Sequence, residues 1–200
     1  MKRLFTILLV AAIAIPSLNA QFTKMGGGLT FTSGYLFHKV DYDYNKSGYL
    51  GLNLRGVYKV NVPIEIVPKF TFLYPHVWKF SDIMSTSRVT VTTMMFDVDG
   101  HYKFNALDKF EFYGLAGANI LLAWKRDKYD YQGMPTSIQK ESDNALGLNV
   151  GAGAYMKLTD QFNLYGEAKY IFSKYHQVVV NAGILINIDW LIKHEATAVN

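Results

Sequence analysis

The chain has 200 residues, half of them hydrophobic, with 14 Tyr, 13 Phe, 3 Trp and 16 Gly but no Cys. That length fits one domain, the aromatic content excludes a disordered chain, and the lack of cysteine excludes disulfide support. The formal net charge is +4, with Lys2 and Arg3 contributing two of those charges, and the remaining basic residues form no cluster that suggests nucleic-acid binding.

Residues 1–20 read as a cleaved secretory leader. Lys2 and Arg3 precede the apolar run Leu4–Ile15, Pro16 breaks it, and Leu18-Asn19-Ala20 places a small residue at the cut. The run is short of the ~20 apolar residues that a spanning helix needs. The mature domain is then 21–200.

From there the dominant signal has period two, as in strands whose side chains alternate between two faces. In the first strand Leu29, Phe31, Tyr35 and Phe37 are apolar, with Gly28, Thr30 and Thr32 opposite. In the second, Leu50, Leu52, Leu54 and Tyr58 oppose Asn53, Arg55 and Lys59. Ile64, Ile66, Phe70, Phe72 and Tyr74 oppose Glu65, Lys69 and Thr71 in the third. The fourth sets Met94, Phe96, Val98 and Tyr102 against Asp97, Asp99, His101 and Lys103. The fifth sets Phe110, Ala116, Ala118, Ile120 and Trp124 against Glu111, Gly117 and Asn119. The last three repeat the pattern: Leu146, Leu148 and Val150 against Asn149 and Lys157, Phe162, Ala168 and Tyr170 against Glu167 and Lys169, and Val178, Val180 and Ile184 against Asn181 and Asn187. About eight strands of roughly 10–14 residues suit a tilted membrane crossing better than a soluble sandwich.

The connections alternate. Val60–Pro63, Asn105–Lys109 and Thr159–Gln161 are tight turns, whereas His38–Gly48, Pro75–Ser87 and Lys125–Asp143 read as long polar loops. Short periplasmic turns and long extracellular loops are the pattern of outer-membrane barrels, and an even strand number puts both termini in the periplasm. Only Lys174–Gln177 is short for its side. Interfacial aromatics are expected at Tyr58, Tyr102, Phe110, Phe162 and Trp190 on the periplasmic side, and at Phe37, Tyr49, Tyr74, Trp78, Trp124 and Phe172 on the other. The predicted fold is an all-β, eight-stranded antiparallel up-and-down transmembrane β-barrel.

The polar face carries both signs of charge. A barrel of this size has an interior just wide enough for side chains, and buried charges need partners. Arg55, Lys59, Glu65, Lys69, Asp97, Asp99, His101, Glu111, Glu167 and Lys169 are therefore predicted to form an ion network in the lumen. The histidines lack metal-ligand spacing, and Gly26-Gly27-Gly28 lacks the Lys-Ser/Thr of a phosphate loop. Ser173 lies near His176, but such a pair also needs an orienting group and an oxyanion site. No cofactor and no catalytic residue is assigned. The acidic-aromatic segments Asp41–Asn45 and Asp127–Tyr131 are candidate loops for an extracellular ligand.

Together with the texture of Gly147-Leu148-Asn149-Val150-Gly151-Ala152-Gly153-Ala154-Tyr155 and Gly183-Ile184-Leu185-Ile186-Asn187-Ile188, these features resemble the small outer-membrane β-barrel family of Gram-negative bacteria, which includes the membrane domain of outer-membrane protein A. The resemblance covers the mature chain. It implies an outer-membrane location, lipid contact, and insertion by the barrel-assembly machinery, which reads the final strand. Ten residues follow Trp190, a departure from the usual aromatic ending. The resemblance does not specify an activity. The leading expectation is a non-enzymatic structural or interaction barrel acting through its extracellular loops. The alternatives are a narrow channel for small solutes, a lipid-modifying barrel enzyme, and a soluble lipocalin-like binding barrel.

Overall fold

Alternation makes each segment a strand with one apolar face, and in a bilayer every backbone N–H and C=O must also find a partner within the protein. Closing the sheet satisfies both demands. The computed structural model describes residues 22–33, 48–61, 63–83, 85–131 and 135–188. Its strands are β1 (Phe22–Thr32), β2 (Tyr49–Asn61), β3 (Ile64–Ser81), β4 (Ser85–Ala106), β5 (Phe110–Tyr131), β6 (Ser137–Lys157), β7 (Phe162–Ser173) and β8 (Gln177–Asn187). Each pairs antiparallel with its neighbours in sequence, and β1 pairs with β8 from Lys24↔Asn187 to Thr32↔Val179, closing the barrel.

The predicted parity holds in the spanning part. Leu52, Leu54, Phe96, Val98, Leu146, Leu148 and Phe172 are exposed on the outside, while Asn53, Arg55, Lys69, Asp97, Asn149 and Lys169 are buried inside. In this fold, outward apolar exposure is a lipid-facing band. The short connections from β2 to β3, β4 to β5 and β6 to β7 fall where tight turns are expected. Residues 1–20, expected to be a leader, Tyr35, Phe37, the expected loop from His38 up to Gly48, with Asp41–Asn45 in it, and Trp190 with the residues after it lie outside the described residues.

Two expectations are corrected. The segments Pro75–Ser87 and Lys125–Asp143 are not loops. β3 runs on to Ser81 and β4 starts at Ser85, while β5 runs on to Tyr131 and β6 starts at Ser137, giving strands of 18, 22, 22 and 21 residues. Both faces of these extensions meet water, so polar residues occupy both parities and the periodic signal fades. The surviving clue is the β-branched run Val89-Thr90-Val91-Thr92.

The second correction concerns aromatics. Between Leu73↔Thr93 and His76↔Val91 the β3–β4 register shifts, with Tyr74 and Pro75 opposite one residue, Thr92. This bulge contains a proline, which has no N–H for the ladder. It reverses parity, so Trp78 packs inward, where buried Tyr49 also lies; neither belongs to a lipid-facing girdle. Tyr74, Tyr102, Trp124 and Phe162 are exposed at the band's ends. Tyr58 is only 8% exposed, its ring edge-on to Phe22 at 5.3 Å.

Ala168 lies outward, between Phe162 and Phe172 at the ends of β7. Ala168→Arg is expected to lower folding stability in vesicles by about 2–4 kcal/mol, against about 0–1 for Ser142→Arg at the outer aromatic belt, across the ladder from Trp124. Denaturant titration of refolding into lipid measures both.

Candidate functional site

The inward residues form three layers along the barrel axis. The middle layer is polar and draws on all eight strands. Glu167 on β7 is its hub. Arg55 donates from Nη1 to Glu167 Oε2 at 2.9 Å, Lys69 donates from Nζ to Oε1, Asn181 donates to Oε1 at 3.0 Å, and the Tyr113 hydroxyl donates to Oε2 at 3.2 Å. Lys69 also reaches Asp99 Oδ2 at 3.3 Å. Lys169 bridges Asp97 at 2.8 Å and Asp99 at 3.1 Å. The amides of Asn119 and Asn149 donate to Asp97, each at 2.8 Å, and Asn149 also donates to Asp99 at 2.7 Å. On the far wall, Tyr165 donates to Asn53 at 2.7 Å, Asn53 to Thr30 at 2.9 Å, and Thr30 to Asn181 at 2.7 Å. Arg55, Lys69 and Lys169 thus face Asp97, Asp99 and Glu167, each at most 3% exposed.

Towards the extracellular side lies an apolar layer, including Tyr49, Leu73, Met95, Leu121, Ile171 and Tyr175. Towards the periplasm lies another, with Val57, Val67, Tyr113, Leu115, Tyr155, Tyr165 and Leu185. His101 belongs to that second layer. Its ring stacks on Tyr113 at 4.2 Å and its Nδ1 pairs with the Tyr155 hydroxyl at 3.0 Å, while its Nε2 lies 3.8 Å from Glu167. Glu65 and Glu111 stand apart from the hub, at the periplasmic mouth. Lys103 bridges them at 2.6 and 3.2 Å, and Lys24 reaches Glu111 at 3.7 Å. Lys59 is exposed at the end of β2 and joins neither group. Across the three layers the inward side chains are almost completely buried, so the bore is closed.

Parity in the sequence fills the lumen with charge alone and misses the apolar layers. A signal for them existed. Tyr113 is paired with Gly153 and Tyr165 with Gly183. A Cβ on Gly153 would sit 2.5 Å from the Tyr113 ring, and one on Gly183 2.7 Å from the Tyr165 hydroxyl. A large aromatic on the polar parity, directly opposite glycine, marks a side chain lying across the bore.

Outside the membrane, the extensions of β3–β6 form a four-stranded sheet. Beyond Gly147↔Ser173, no strand among the described residues pairs with the outer edge of β6. Its axis-side face carries a shallow cleft of about 290 Å³ lined by Ser87, Val89, Asp127, Tyr129, Ser137 and Gln139. At its base Lys174 Nζ donates to Asp143 at 2.6 Å, and the Tyr175 hydroxyl donates to the same carboxylate. The hydrogen bonds from Lys174 and Tyr175 hold the Asp143 carboxyl below its ordinary 3.8, and Asp143 holds the Lys174 ammonium above its ordinary 10.5. Ser173 and His176 do not form a nucleophile–base pair. The Ser173 hydroxyl accepts from Tyr175 N at 3.0 Å, and His176 Nδ1 meets the Ser173 carbonyl, not the hydroxyl, at 3.0 Å. Among the described residues no cluster of His, Asp or Glu is placed to hold a metal ion.

The family model for the outer membrane protein beta-barrel domain matches residues 5–187, nearly the whole chain. The chain belongs to that family and is an integral protein of the Gram-negative outer membrane. No curated protein matches it. Among solved structures it is similar to Ail, the attachment invasion locus protein of Yersinia pestis, at 16% identity and TM-score 0.50, covering 83% of this chain and 99% of Ail. Ail in complex with the heparin analogue sucrose octasulfate matches with TM-score 0.52 at the same identity and coverage. A major outer membrane protein from Thermus thermophilus matches at 14% identity and TM-score 0.53, covering 82% of this chain and 98% of that one. At these identities the likeness establishes the fold.

Removing Glu167 leaves Arg55 and Lys69 buried without their shared partner. Glu167→Ala is expected to cost about 3–5 kcal/mol, read as a lower denaturant midpoint in detergent. The Asp143 tie has its own pH window. A carboxyl that titrates lower when folded stabilises fully above its unfolded value and loses that contribution as pH falls through the folded one. The Lys174 contribution is full below 10.5 and is lost as pH rises through its raised value. Hydrogen exchange at the Tyr175 amide is expected to accelerate below about pH 4, and Asp143→Asn is expected to remove the acid limb.

Proposed function

We propose that this protein is a closed, non-enzymatic outer-membrane platform that presents the β3–β6 extension to ligands outside the cell. The observation that carries this reading is the contrast between a bore filled at three levels and strands that continue well past the membrane. From Trp124 to Tyr131, β5 adds roughly 20 Å along its length at about 3.3 Å per residue. A filled interior spends its side chains on rigidity, and a rigid scaffold carrying exposed edges and clefts is suited to binding. The axis-side cleft and the open edge of β6 are the candidate contact surfaces. The arrangement at Ser173 and His176 speaks against acyl-transfer chemistry on lipid. The lumenal charges serve structure in this reading, with Lys59 left out. Residues 1–20 act as the leader, and the barrel-assembly machinery inserts the mature domain.

Two measurements test the proposal. In planar bilayers the purified protein is expected to give no discrete conductance steps, and reproducible steps would overturn the closed-platform reading. A variant lacking residues 76–91 and 126–142 is expected to keep heat-modifiable gel mobility but lose the parent's signal on arrays of host glycans and matrix proteins. A parent without signal, or a trimmed barrel that retains it, counts against the extension as the binding surface.

A further inference from the structure

The outward face of the extension has an unbalanced charge. Past the bulge, Lys79 of β3 shares the outward face with the even-numbered residues of β4, β5 and β6. Register then aligns Lys79 with Arg88 and Arg88 with Lys128 in one cross-strand row. The next row towards the membrane aligns Thr90 with Arg126 and Arg126 with Lys140. Among the described residues these five cations meet one carboxylate on the same face, Asp130, already engaged by Lys128 at 2.9 Å and within the field of Arg88. Lys79, Arg88, Arg126 and Lys140 have no ion pair among the described residues. The carboxylates Asp127, Glu141 and Asp143 are all on the axis side, where Lys125 and Lys174 meet them.

Like charges directly opposite on neighbouring strands are destabilising. Edge strands of a protruding sheet use isolated lysines to stay soluble, but solubility does not require cations directly opposite one another, across three strands in one row and two in the next. An external anion removes the conflict, and position identifies its source. Trp124, exposed on the same face, marks the outer aromatic belt one row below Arg126 and Lys140. At about 3.3 Å per residue and a tilt of 35–45°, the two cationic rows stand roughly 5 and 10 Å above that belt. Bilayer headgroups occupy about that thickness outside the hydrocarbon. The face is continuous with the lipid-facing band, so it looks sideways into the outer leaflet.

We propose that Lys79, Arg88, Arg126, Lys128 and Lys140 form a binding surface for the phosphate groups of the outer leaflet's phosphorylated glycolipid, the lipopolysaccharide. Each basic residue at such a surface adds to the attraction, and a multiply phosphorylated headgroup engages several at once. The inference does not depend on whether the bore conducts.

The test uses the full barrel in phosphatidylcholine nanodiscs titrated with rough lipopolysaccharide, with bound glycolipid measured by mass spectrometry. Replacing all five cations with Gln is expected to weaken retention by on the order of a hundredfold or more, with heat-modifiable mobility unchanged. Lys125→Gln on the axis-side face is expected to retain the glycolipid like the parent. The unmodified barrel is expected to discriminate against dephosphorylated lipopolysaccharide, and this arm needs no variant to fold. Equal retention of dephosphorylated lipid, or of lipopolysaccharide by the five-fold variant, would overturn the proposal. Displacement by millimolar inorganic phosphate would overturn it in favour of a free-anion site. Binding of sucrose octasulfate without binding of lipopolysaccharide would overturn it in favour of a soluble polyanionic glycan.

Discussion

A carboxylate shut away from water is tolerable only where cations and donors surround it, and Glu167 meets that condition on the barrel axis. Arg55, Lys69, Asn181 and Tyr113 approach it from β2, β3, β8 and β5. Four walls are therefore held to one point, and the remaining polar residues take positions that this convergence permits. Asp99 shares Lys69 with Glu167 and shares Lys169 with Asp97, so the charges form one chain. The apolar layers above and below exclude the water that would weaken these contacts. The arrangement is costly to break at any one member, because each removal leaves a complementary charge stranded in the bore.

How legible this was depended on which solvent a residue faces. Where one face meets lipid and the other the bore, as from Leu50 to Arg55 or Phe96 to His101, alternation alone assigned parity. That parity also gathered Arg55, Lys69, Asp97, Asp99, Glu167 and Lys169 inside. The same logic failed wherever its premise failed. At Lys59 the strand is leaving the membrane, so a polar parity no longer implies the lumen. In β4 and β5 beyond Thr92 and Trp124, both faces are wet, and a continuing strand looks like a polar loop. Tyr113 and Tyr165 were hidden differently, since alternation gives an aromatic on the polar parity no place unless the glycine across the ladder is noticed. Trp78 was misplaced by the bulge at Pro75, which a strict count of twos does not anticipate.

The extension divides its two surfaces by chemistry. On the axis side, carboxylates and lysines pair with one another around a cleft. On the lipid-directed side, cations stand in rows. One sheet thus offers a neutralised face to the medium above the bore and a basic face to its lateral surroundings, and the Pro75 bulge gives β3 its part in both.

The longest links in the bore carry a consequence for assembly. Thr30 to Asn181 spans 151 residues of sequence, and Thr32 to Gln177 spans 145. Both cross the seam between β1 and β8 or lie close to it. While that seam is open, the sheet is a strip whose polar side has no opposite wall, and in hydrocarbon that side would carry bare ions at prohibitive cost. Curling must therefore precede or accompany entry into lipid. The first strand has to wait for the last, and the order of events at the membrane is set by the charges that never touch it.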